Sequence, residues 1–206
     1  MKRIKEDCQQ TIIVNKSRFI CYLFRVFDDE QAKSTIKLIK KQHPLATHHC
    51  DAYIINSQNI KRAHDDGEPT GTAGRPMLDT LEKNGMDDIL AITVRYFGGI
   101  LLGTGGLVRA YTDATIAALE SSVMVTKVLS KRIKIHTDYN TIGKVLYELG
   151  QRGLSQESSE YTEVISITII IPSEDFDEFE KRIIDISFGK SRVEVVEEMY
   201  FEHIVQ

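Results

Sequence analysis

The chain has 206 residues, enough for one large domain or two small ones, and 42% of them are hydrophobic, so a sizeable core is available. The formal net charge is -4, which excludes a global basic attraction to nucleic acid. The charge is uneven: residues 1–125 carry 16 Lys+Arg against 15 Asp+Glu, and residues 126–206 carry 10 against 15, so a polyanion is expected to meet the first part, through a local patch.

Cys8, Cys21 and Cys50 have no CxxC spacing, which predicts reduced thiols in a cytoplasmic protein. The first residues lack the apolar stretch of a secretory signal. No run approaches the roughly 18 apolar residues of a membrane span, so no membrane association is expected.

In chain order, "TIIV" and "RFICYLFRV" around the polar "NKS" predict a β-hairpin. "DDEQAKSTIKLIKKQH" sets Ala32, Ile36 and Ile39 at helical spacing, with an acidic start and a basic end that suit the helix dipole. Pro44 stops that helix. "CDAYIIN" predicts a short strand, and "DDILAITVRYF" a near-continuous apolar strand at the centre of a sheet. Between them "PMLDTLEKNG" predicts a helix with Pro76 at its first position and Gly85 at its end. Beyond Gly106, the residues Leu107, Ala110, Tyr111, Ala114 and Ala118 share one helical face, with Thr104 as the candidate cap.

The remainder alternates differently. "VMVTKVLSKRIKIHT" predicts a strand, "DYNTIGKVLYELGQRG" a helix, "LSQESSEYTEVISITIIIP" a strand pair, "SEDFDEFEKRIIDIS" an amphipathic helix and "SRVEVVEEMYFEHIV" a last strand. The order β-α-β-β-α-β is the ferredoxin-like arrangement. The expected fold class is α+β in two domains, 1–122 and 123–206, with the boundary near Ser121 to Thr126.

Two loops carry the unusual chemistry. "RYFGGILLGTGGLVRAY" holds five glycines and two arginines in seventeen positions and joins a buried strand to a helix N-terminus. Backbone N–H groups there favour an anion. The spacing of Gly98, Gly99, Gly103, Gly105 and Gly106 matches neither a dinucleotide fingerprint nor a P-loop, so a tight packing connection is an equal reading. Arg95 alternates with Ile89, Ala91 and Phe97 on an apolar strand, and Arg109 sits in a first helical turn, where the dipole disfavours a cation. Each is expected to need a negative partner, external or internal.

The second loop, "DDGEPTGTAGRP", offers internal partners in Asp65, Asp66 and Glu68. These carboxylates form salt bridges with Arg75, Arg95 and Arg109, or hold Mg²⁺, or remain solvated. His48 and His49 are adjacent on a strand and point to opposite faces, so they cannot chelate a metal together. His49, Asp51 and Tyr53 share a face and are expected to form one hydrogen-bonded polar group. Cys50 reads as a buried thiol and His64 as a surface residue. No cofactor pattern, metal-ligand spacing or nucleophile motif is present, and no catalytic residue is assigned.

"HPLATHHCDAY", "DDGEPTGTAGRPML" and "TVRYFGGILLGTGGLVRAY", in this order over residues 43 to 111, resemble the IMPACT/YigZ family. The resemblance implies a first domain with the fold of the second domain of ribosomal protein S5, and a ferredoxin-like second domain resembling one of elongation factor G. Those likenesses imply contact with RNA, the ribosome or a translation factor. Eukaryotic members act in translational control by competing for an activator of the kinase that phosphorylates initiation factor 2. They carry a different additional N-terminal domain, so that partner does not transfer. The implied ligand- or RNA-binding surface comprises His48, His49, Asp65, Asp66, Glu68, Arg75, Arg95, Tyr96, Gly98, Gly99, Gly105, Gly106 and Arg109. The alternative is a small-molecule enzyme acting on a phosphorylated substrate through the same two loops.

Overall fold

A computed structural model describes residues 1–205 and divides the chain into two compact units, residues 1–126 with the last residues from Ile204, and residues 127–203. The architecture is mixed α+β with two sheets.

In the first unit, β1 (Lys2–Ile4) is followed by the hairpin β2 (Cys8–Val14) and β3 (Ser17–Arg25). Asn15 and Lys16 turn it at φ 45° and 65°, the left-handed pair that matches strand twist in a two-residue hairpin. Helix α1 (Asp29–Gln42) starts where the Asp28 side chain accepts the Gln31 N–H at 2.7 Å. Then come β4 (His48–Ile55), β5 (Ile60–His64), α2 (Gly74–Lys83), β6 (Ile89–Tyr96) and α3 (Gly103–Ser121). The sheet order is β2-β3-β6-β4-β5, antiparallel throughout, with β6 central as its unbroken apolar run predicts.

Strand alternation sorts this sheet into two buried faces. Phe19, Cys21, Leu23, Cys50, Ala52, Ile89 and Ala91 pack with Met77 and Leu81 of α2 and with Leu107, Tyr111 and Ala114 of α3. Ile20, Tyr53, Ile55, Leu90, Ile92 and Val94 pack with Ala32 and Ile39 of α1. Because β6 is covered on both sides, it has no polar face to show.

The second unit contains most of β7 (Met124–Thr137), then α4 (Ile142–Gln151), β8 (Gln156–Tyr161), β9 (Ile165–Pro172), α5 (Phe176–Ile186) and β10 (Arg192–Ile204). β7 pairs with β9 and with β10, and β8 pairs with β9, so the order is β10-β7-β9-β8, as a ferredoxin-like β-α-β-β-α-β chain requires. Ile133, Ile135, Ile167 and Ile169 bury one face against Val145, Leu149, Phe179 and Ile183. The first three residues of β7 pair with β1 in the first unit.

Three local expectations change. Pro76 is the third residue of α2, because Asp65 accepts the Ala73 and Gly74 N–H groups and the helix begins there, before the proline. Thr104 lies inside α3 and does not cap it; Leu102 occupies the cap position, with no side-chain hydrogen bond there. β1 and the charged edge strand β5, "IKRAH", add pairing that no apolar alternation announces.

Gly98 shows why one loop glycine is obligatory. A Cβ there would lie 2.1 Å from the Lys16 carbonyl carbon, against rigid backbone of the β2–β3 turn. A Cβ on Gly105, within α3, meets nothing within 4 Å. Gly98→Ala is therefore expected to destabilise the protein by about 1–3 kcal/mol or more, and Gly105→Ala to stabilise it by up to about 1 kcal/mol. Urea unfolding of the two variants checks the opposite signs.

Candidate functional site

The DDGEP turn and the glycine-rich loop meet on the α2–α3 side of the first sheet. Glu68 is buried, and its Oε1 accepts Arg95 Nη1 at 2.6 Å and the Tyr111 hydroxyl at 2.8 Å. His48 Nε2 stands 3.9 Å from Glu68 Oε2. Arg95 comes from β6, Tyr111 from α3 and His48 from β4, so one carboxylate joins three elements to its own loop. Arg95 is 5% exposed, and its guanidinium carbon lies 5.3 and 5.6 Å from the centroids of the Phe19 and Phe97 rings.

The other carboxylates face elsewhere. Asp65 accepts the backbone N–H groups of Gly71, Ala73 and Gly74 at 2.8–3.0 Å and so fixes the start of α2. Asp66 accepts Lys40 Nζ at 2.7 Å and the His49 N–H at 2.8 Å. Burial works to raise the Asp66 pKa, but the Lys40 and His49 contacts prevail and hold it below the ordinary carboxylate value. The three acids thus serve three different partners.

Of the expected arginine partners, Arg95 alone among Arg75, Arg95 and Arg109 pairs with this acidic turn. Arg75 is exposed and bridges Asp79, one helical turn along α2, at 2.8 Å. Arg109 is exposed on α3 and solvated, so it needs no internal partner. The expected His49–Asp51–Tyr53 group also divides. His49 Nε2 bonds the His43 carbonyl at 3.0 Å, Asp51 meets its cross-strand neighbour His64 at 2.8 Å, and the Tyr53 hydroxyl donates to Asp29 at 2.6 Å. Cys50 is buried as expected, with Sγ 2.9 Å from the Asp65 carbonyl and 3.3 Å from the Tyr111 hydroxyl. Burial above all pushes the Cys50 thiol and the Tyr111 phenol well up, so both stay protonated at neutral pH.

A cleft of about 420 Å³ opens over this cluster. Gly67, Glu68 and Pro69 form one wall; Leu101, Leu102, Gly103, Thr104 and Leu107 form the other. His48, Arg95 and Phe97 also line it. Gly98 and Gly99 lie in the connection, Gly105 and Gly106 in the first turn of α3.

A second surface was not foreseen. Arg18, Tyr22 and Phe24 of β3 and Tyr96 of β6 lie on the opposite face of the same sheet, since Arg18 pairs with Tyr96 and Tyr22 with Ile92. The neighbouring β2 residues on that face, Gln9, Thr11 and Ile13, are exposed. Tyr22 and Phe24 stack with centroids 6.1 Å apart, and the Arg18 guanidinium lies 4.4 Å from the Tyr96 ring centroid. His43 bridges the two tyrosines: Tyr22 Oη is 2.7 Å from Nε2, and Tyr96 Oη 2.8 Å from Nδ1. Burial first, then the charges of His49 and Arg18, lowers the His43 pKa from 6.5. The sequence signal was available: residues 8–26 hold Lys16, Arg18 and Arg25 and no acidic residue.

Two α+β units, a buried ionic cluster under two glycine-marked loops and an aromatic strand face characterise the chain, and it has known kin. The Impact N-terminal domain family model matches residues 15–119, and a domain of unknown function, DUF1949, matches residues 135–190. The chain is 38% identical over 203 residues to "IMPACT family member YvyE" of Bacillus subtilis (strain 168), covering 98% of this chain and 94% of that protein. It is 35% identical over 188 residues to "IMPACT family member YigZ" of Escherichia coli (strain K12), covering 90% and 92%. A solved structure titled "Crystal structure of an hypothetical protein" is similar with TM-score 0.59 at 32% identity, over 95% of this chain and 97% of that one. The chain belongs to the IMPACT family.

Two outcomes test the site's physics. Glu68→Gln leaves a buried guanidinium without its counter-charge and is expected to cost about 3–5 kcal/mol, whereas the double variant Glu68→Met/Arg95→Met recovers most of that in denaturant titration. His43 binds protons more weakly folded than unfolded, so the unfolded chain takes up more protons as pH falls below 6.5. Stability is expected to drop across that window and level off below the folded pKa. The drop shrinks in His43→Gln, measured as melting temperature between about pH 7.5 and 5.

Proposed function

We propose that this IMPACT-family chain is a translation-associated regulatory protein that binds RNA, on the ribosome or with a translation factor, through its first unit. The observation that carries the reading is the Arg18–Tyr22–Phe24–Tyr96 face. Single-stranded RNA is held by bases stacked on aromatic rings and by cations along the backbone. Here the rings stand in alternate strand positions beside Arg18, on a hairpin stretch free of carboxylates. That is local charge complementarity within a protein of negative net charge.

On this reading the contact lies away from Arg95, whose charge Glu68 already neutralises. It also weakens the alternative of an enzyme using the DDGEP acids, because Asp65, Asp66 and Glu68 each have a protein partner.

Fluorescence anisotropy with a labelled twelve-nucleotide uridine oligomer tests the proposal. Phe24→Ala is expected to weaken binding about 5- to 150-fold, the range for one lost stacking contact. Arg18→Glu should weaken it further and flatten the salt dependence, whose slope of about -2 in log K against log salt corresponds to three phosphate contacts at about 0.7 each. RNA affinity unchanged in both variants, or no binding by the wild type at low salt, overturns it.

A further inference from the structure

The cleft over the Glu68–Arg95 pair has a chemistry of its own, independent of RNA binding. We propose that it is a binding site for a monocarboxylate with an apolar body, held by Nη2 of Arg95 and the N-terminus of α3.

Three observations converge. Glu68 engages Nη1 of Arg95, and Nε is buried with no hydrogen-bond partner among the described residues. Nη2 makes no hydrogen bond to a described residue and, unlike Nε, is not sealed from the cleft, so a carboxylate there accepts one charge-assisted N–H···O contact from it. Second, α3 is a 19-residue helix with no side chain capping its start, and its first residues Gly103 and Thr104 line the same cleft. Unpaired backbone N–H groups and the helix dipole favour negative charge there.

Third, the walls select the rest of the ligand. Pro69, Phe97, Leu101, Leu102 and Leu107 make most of the lining apolar, which suits a hydrocarbon or aromatic body. About 420 Å³ falls within the range of small-molecule sites. The charge balance selects a monoanion. Arg95 is already paired with Glu68, so the net positive field is that of one helix terminus, too little for a phosphate dianion. The carboxylate is supplied either by a free small acid or by the C-terminus of a peptide.

Calorimetry on the full chain with 3-phenylpropanoate, its uncharged amide 3-phenylpropanamide and inorganic phosphate tests the site. The acid is expected to bind saturably and to shift the amide NMR signals of Gly103 to Leu107. The amide should bind at least tenfold more weakly, and phosphate should leave those signals unmoved. Phe97→Glu, at an exposed position, adds negative charge at the cleft and should weaken the acid at least tenfold in protein whose melting curve shows it folded at the assay temperature. Glu68→Met/Arg95→Met, which removes the guanidinium without orphaning a charge, should abolish it. A peptide ending in Leu-Phe competes with a free but not an amidated C-terminus if chain ends are the source; failure of both peptides assigns the site to a free acid. Equal affinity for acid and amide, an acid affinity unaffected by Phe97→Glu, or no binding of the acid overturns the proposal. RNA affinity measured on the same variants is expected to stay at the wild-type value, which separates this result from the RNA result.

Discussion

The first unit depends on one buried ion pair. Glu68 and Arg95 come from a loop and a central strand 27 positions apart, and both charges are almost wholly removed from water. Desolvation makes such a pair costly unless further hydrogen bonds and good geometry compensate. Tyr111 supplies one, His48 stands behind the second carboxylate oxygen, and two aromatic rings flank the guanidinium. The DDGEP turn, the central strand and the long helix α3 are thereby fixed in one register. Ordinary hydrophobic packing of α3 on the sheet does not specify where a flexible loop must sit.

The neighbouring acids extend that specification outward. Asp65 ties the same turn to the start of α2, and Asp66 ties it to α1 through Lys40 and to β4 through the His49 N–H. A five-residue stretch therefore touches elements on both faces of the sheet. The glycines serve this arrangement by close approach: Gly74 against β5 and Gly98 against the β2–β3 turn leave no room for a side chain. Their first role is structural, and the cleft is what remains where the two fixed loops part.

The two sides of the sheet have distinct chemistries. On one, charge is internal and paired, and the solvent-facing groups are mostly apolar around one helix terminus. On the other, α1 packs against the sheet while the β2 residues Gln9, Thr11 and Ile13 stay exposed beside half-buried aromatic rings and Arg18. The His43 bridge between Tyr22 and Tyr96 orders that second face, and it couples the face to pH, because a half-buried imidazole beside other positive groups resists protonation.

The sequence by itself determined the α+β class, the β2–β3 hairpin, the central position of β6 and the β-α-β-β-α-β order of the second unit. These follow from periods of two and 3.6 residues and from turn residues, all of which are local. It also marked the two loops that converge. It did not determine the pairing within them. Asp65, Asp66 and Glu68 are equivalent carboxylates on paper, and the sequence offers Arg75, Arg95 and Arg109 alike as their partners. Burial separates them: Arg95 lies on the α2–α3 face of the central strand and must be neutralised, while Arg75 and Arg109 reach water and need nothing. Tyr111 read as one more core residue on a helical face, although its hydroxyl completes the ionic cluster. The acid-free basic stretch 8–26 was legible, but the aromatic face itself was not, since it requires knowing that Arg18 of β3 stands opposite Tyr96 of β6. Cross-strand register and the desolvation of particular charges are long-range properties, and only the tertiary structure decides them.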